Sequence, residues 1–107
     1  MASPLNWDEL RAITEGDGQL EQHLFSLYWA TTERCLKKMR SLVSGDEEQQ
    51  WQKAAHELKG ASANIRAEAM ADLCRQVEYL PDDPEERARA CELLEEAYAT
   101  LRTFVRQ

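Results

Sequence analysis

"KAAHELKGASANI", residues 53–65, reads as a helix with two unlike faces. At about 100° per residue, Trp51, Ala54, Leu58, Ala61 and Ile65 gather on one side, and His56 points about 180° from the middle of that cluster. His56 is therefore expected on the open face, outside the core. Around it stand Gln52 one turn before, Lys59 three residues after, Gly60 four after and Ala63 seven after. A glycine inside a helix costs about 1 kcal/mol relative to alanine, and nothing on the solvent side requires a small residue for packing within the chain. The face is bare enough for another molecule to approach closely.

Around this helix the chain is all-α. Leu, Ala and Glu dominate its 107 residues, and the three prolines and four glycines mostly fall between long periodic runs. One domain spanning 1–107 is expected, since a chain of this length buries one core. Asn6 with Glu9 signals the cap of a short helix to about Thr14, with Leu10 and Ile13 inward. From Asp17, the residues Leu20, Leu24, Leu27, Tyr28, Thr31, Cys35, Met39 and Leu42 repeat at three and four, predicting a helix to about Val43. A third helix is expected from near Asp46. A fourth, only slightly offset from it, carries Met70, Leu73, Cys74, Val77 and Leu80. After "PDDP", Asp83 followed by Pro84 starts a last helix with Ala88, Cys91, Leu94, Ala97, Tyr98, Leu101 and Phe104 on its stripe. Short loops between long helices imply an antiparallel up-down four-helix bundle, with the additional N-terminal helix as a lid.

Several function classes lack support. The formal net charge of −7 disfavours nonspecific binding to nucleic acid or anionic lipid. Neither an export signal nor a run of about 18 apolar residues is present, so the expected compartment is cytoplasmic, without a membrane. Cys35, Cys74 and Cys91 are widely spaced and lack CxxC pairing, which reads as reduced core thiols. No metal site is expected, because neither His23 nor His56 has an acidic residue three before it. A G-x-S-x-G elbow and a Gly-rich phosphate loop are both missing, which argues against hydrolase or autonomous kinase chemistry.

"AHELKGASANIRAEAMADLCRQVE", residues 55–78, resembles the signature of histidine-containing phosphotransfer (HPt) domains. The H-x-L-K-G-x-S core falls on His56, Leu58, Lys59, Gly60 and Ser62, and the later L-C-x-x-L-E-like helix on Leu73, Cys74, Val77 and Glu78. One departure is Arg66, where the family commonly has a glycine; a helical path through this residue would need none. The resemblance implies a phosphorelay intermediate in which His56 accepts a phosphoryl group from a receiver-domain aspartate and passes it to another receiver. An imidazole offers a ring-nitrogen lone pair at cytosolic pH without help from a base. Lys59 is the candidate cation, Gln52 a candidate hydrogen-bond partner, and Gly60 and Ala63 give clearance. No cofactor is expected on this chain, Mg²⁺ being supplied by the receiver. The implied partners are response-regulator receiver domains or a hybrid histidine kinase, and the expected state is a monomer. The alternative is a noncatalytic adaptor that binds a receiver or kinase without carrying phosphate.

The second helix has more apolar residues than one stripe needs. Phe25, Trp29, Thr32 and Leu36 are displaced by about 100° from the first set. Antiparallel pairing with the third helix would bring Thr32 and Glu33 level with His56, Trp29 near Gly60 and Leu36 near Lys53. A docking patch of Trp29, Thr32, Glu33 and Leu36 with Lys53 and Lys59 on its rim is therefore expected, the competing reading being that the first helix covers Phe25 and Trp29 as core.

Overall fold

In the computed structural model, which describes residues 3–45 and 47–106, five helices follow in the expected order. They are α1 (Trp7–Thr14), α2 (Gly18–Ser41), α3 (Glu48–Asn64), α4 (Glu68–Val77) and α5 (Pro84–Arg106). No strand occurs among the described residues. The Asn6 side chain accepts from the Glu9 N–H at 3.1 Å and donates to the Glu9 carboxylate at 2.8 Å, satisfying a backbone donor that the helix leaves unpaired. Asp17 caps α2 through the N–H groups of Gln19 and Leu20, and Asp83 caps α5 through those of Glu85 and Glu86. The start expected near Asp46 lies outside the described residues.

α2 to α5 form an antiparallel ring, each helix packing on two neighbours: α3 sits between α2 and α4, and α5 between α4 and α2. Polar contacts fix the registers. The Tyr28 hydroxyl meets Ser62 Oγ at 2.7 Å and Arg34 pairs with Glu57, so α2 and α3 run in opposite senses. Arg40 pairs with Glu95, and Glu33 with Tyr98 and Arg102, setting α2 against α5. The indole N–H of buried Trp51 donates to the Val77 carbonyl at 2.9 Å, tying the start of α3 to the end of α4. Arg87 is fully buried, its guanidinium stacked over the Trp51 ring at 5.0 Å and donating to the carbonyls of Leu42 and Pro81. One side chain thus holds both loops at that end of the bundle.

The ring explains where the expected core is wrong. Because α2 packs on both α3 and α5, it needs two apolar stripes, and the second belongs to the interior: Phe25, Thr32 and Leu36 are buried. Leu20 and Leu27 are exposed instead, on the outer edge of the first stripe. Ile13 is exposed as well, since α1 packs only on α2 and buries Leu10 and Thr14.

The junction after α3 also departs from expectation. Arg66 has φ +66°, so the chain does not continue helically but turns through the left-handed region, where glycine pays no Cβ penalty and arginine does. Neighbours hold the turn: the Arg66 carbonyl accepts from the Asn6 N–H at 2.9 Å, its guanidinium donates to the Ala63 carbonyl at 2.7 Å, and Glu9 lies 3.4 Å from Nε.

Candidate functional site

The middle of α3 carries the site. Trp51, Ala54, Ala55, Leu58 and Ser62 are buried on its inner side, and this orientation turns His56 outward, its side chain 73% exposed. Nδ1 of His56 lies 3.2 Å from Oε1 of Glu78. The same oxygen is 2.9 Å from Nζ of Lys59. Glu78 follows the last residue of α4 and continues the buried stripe of Met70, Cys74 and Val77, so that its carboxylate is only 2% exposed.

A carboxylate this far from water needs partners. Lys59 supplies the strongest one, and its hydrogen bond draws the Glu78 carboxyl below the usual carboxylate range, with smaller help from Tyr79 and His56 against the cost of burial. An ionised carboxylate only accepts hydrogen bonds. The Glu78 contact therefore assigns the ring proton of His56 to Nδ1 and leaves the lone pair on Nε2, the nitrogen not engaged by Glu78.

Lys59 is not the free surface cation expected from its wheel position. It is 25% exposed and bound to Glu78, still one turn from His56 but committed to an internal partner. Gln52 and Lys53 line the recess in front of His56 together with Glu78 and Tyr79. Gly60 and Ala63 are exposed on the same face, and a Cβ added at Gly60 would meet no atom within 4 Å. Packing within the chain does not require the glycine.

The residues expected in the docking stripe do not form an exposed patch. Thr32 and Leu36 are interior residues. Trp29 is half-buried, with its ring stacked on Phe25, edge-on to Tyr98 and under the Arg102 guanidinium at 4.6 Å. Glu33 is exposed but bonded to Tyr98 and Arg102 of α5. Trp7 of α1 packs edge-on against Phe25, so the lid reading holds for that residue. On the α3 side, α2 instead offers Leu24, Leu27 and Thr31, which form a groove with Ala61 and Asn64 of α3 and with Ile65 just beyond it.

Glu78 is the site residue that the wheel of α3 could not reveal. Its signal lay in α4, where an acid occupies a position on an apolar stripe and so requires a buried counter-charge. The cysteines, by contrast, sit where expected: all three are buried, and burial pushes the thiols of Cys74 and Cys35 up to about 12 and 11, which keeps them unreactive.

With an exposed histidine on a four-helix ring, buttressed by a buried carboxylate and a lysine, the comparison with protein families agrees: the chain belongs to the Hpt domain family, which matches residues 23–104. Comparisons with curated proteins and with solved structures find no match. Family membership carries a phosphorelay role in histidine phosphotransfer and interaction with receiver domains. Among the described residues no helix is long and apolar enough to cross a membrane.

Proposed function

We propose that this domain accepts a phosphoryl group on Nε2 of His56 from the aspartyl phosphate of one receiver domain and passes it to the aspartate of another. The observation that carries this reading is the pairing of His56 Nδ1 with an ionised, buried Glu78. In the forward step the lone pair of Nε2 attacks phosphorus, the N–P bond forms, the P–O bond breaks and the electron pair returns to the aspartate oxygen. The ring becomes cationic as it loses that lone pair, and Glu78, accepting from Nδ1–H, stabilises the charge where it develops. In the reverse direction the same contact keeps the imidazole a neutral leaving group with its proton already in place. The chemistry is mostly positioning and charge neutralisation, and the receiver brings the aspartyl phosphate with Mg²⁺.

Lys59 acts through Glu78: by holding the carboxylate ionised it fixes the tautomer. Gly60 and Ala63 leave room for the receiver's loops. The docking surface we assign is the edge of α2 that carries Leu20, Leu24, Leu27 and Thr31, continuous with the open face of α3, with Arg34 and Lys53 on its rim. Nitrogen-15 NMR of the imidazole tests the site directly. The expected result is a protonated Nδ1 in the free protein and phosphorus coupled to Nε2 after phosphorylation; phosphorus on Nδ1, or on a residue other than His56, would overturn it.

A further inference from the structure

We propose that Tyr79 is a partner-recognition residue of this site: its ring is a wall of the recess against which the receiver domain packs while His56 takes the phosphoryl group. The proposal rests on the reading of His56 as the phosphoacceptor.

Of the eight aromatic side chains, seven are buried or half-buried in the bundle, and Tyr79 alone is exposed, at 73%. A tyrosine this open adds little to the core. Yet it lines the same recess as His56, Gln52, Lys53 and Glu78. Its backbone is held in place. The Val77 carbonyl accepts both from the Trp51 indole at 2.9 Å and from the Leu80 N–H at 3.2 Å, so the turn presenting Tyr79 is fastened to α3, the helix that carries His56. Buried Glu78 precedes it and half-buried Leu80 follows it, which directs the intervening side chain outward.

The neighbouring Glu78 carboxylate pushes the phenol above its ordinary range. A turn whose backbone is already held loses less freedom on binding, and tyrosine, with an apolar body and a polar tip, is an effective interface anchor. The occupant is the receiver domain, because a partner that places an aspartyl phosphate at Nε2 must bring the rim of its acidic pocket over the recess that Tyr79 borders. Tyr79 exchanges no proton or electron pair in the transfer; it positions the partner.

Two phosphodonors separate this role from the chemistry at His56: a phosphorylated receiver domain that serves the wild-type protein, and phosphoramidate, which is too small to need docking. With the receiver, Tyr79→Ala is expected to raise the concentration giving half-maximal transfer by about tenfold, the effect of an ordinary aromatic anchor, while the rate at saturation and the Tm stay at wild-type values. With phosphoramidate, labelling of His56 is expected to be unchanged. Tyr79→Phe, which keeps the ring, should remain within about twofold of wild type. Unchanged receiver dependence in Tyr79→Ala would overturn the proposal, and so would equal slowing with both donors, which would mean that Tyr79 acts on the imidazole. If neither donor labels wild-type His56, the phosphoacceptor reading itself fails and the proposal falls with it.

Discussion

Nδ1 of His56 and Oε1 of Glu78 lie 3.2 Å apart, joining the open face of α3 to the buried stripe of α4. The contact gives the imidazole a fixed tautomer and gives a carboxylate with 2% exposure one of the partners it needs. Because Lys59 binds the same oxygen, imidazole, carboxylate and ammonium form one unit.

Glu78→Gln should therefore slow phosphoryl transfer while preserving side-chain shape. Losing a charge-assisted hydrogen bond costs about 1.5–3 kcal/mol, and about 1.4 kcal/mol is tenfold in rate, so a loss of roughly ten- to a hundredfold is expected in single-turnover transfer from a receiver. A rate within twofold of wild type would remove Glu78 from the mechanism.

The same carboxylate makes stability depend on pH in a defined direction. Lys59 holds the folded-state pKa of Glu78 below the usual range, so the folded protein keeps it ionised while the unfolded chain begins to protonate near about 4.3. This contribution is present above that value and is lost as pH falls through it toward the lower folded value. Thermal melts between neutral pH and the onset of acid unfolding should show wild type more stable than Glu78→Gln at neutral pH, with the gap narrowing on acidification. A constant gap would contradict the linkage.

At Gly60 stability and function should part company. With open space around a Cβ, Gly60→Ala should stabilise the helix by about 0.5–1 kcal/mol. Gly60→Gln should fold normally, yet fill the clearance beside His56 and slow transfer from a receiver without affecting phosphoramidate labelling. Normal transfer by the glutamine variant would return Gly60 to an ordinary surface position.

Two leucines on α2 should behave in opposite ways. Leu36, 8% exposed within the core, should lose about 2–5 kcal/mol of stability as alanine. Leu27, 54% exposed, should leave the Tm nearly unchanged as serine and weaken receiver binding severalfold. Calorimetry beside receiver titrations checks both, and wild-type affinity in Leu27→Ser would remove it from the docking edge.

Helix order, caps and the outward turn of His56 were legible in the sequence because they depend on local periodicity and on Asn6, Asp17 and Asp83. What escaped depends on which helices become neighbours. The extra stripe of α2 reads equally as a docking patch or as a second internal contact, and only the position of α5 decides that Trp29 meets Tyr98 and that Leu36 is buried. Lys59 reads as free until α4 brings Glu78 beneath it. Arg66 reads as helical because its turn is held by Asn6 and Glu9, contacts far away in the chain.

Transfer of radiolabelled phosphate from a phosphorylated receiver to this domain, compared between wild type and His56→Gln, tests the central claim most directly. Acid-labile, base-stable label is expected on wild type, mapped to His56, and none on the variant at equal folding. Label retained by His56→Gln, or a wild-type domain that binds the receiver yet never becomes labelled, would contradict it.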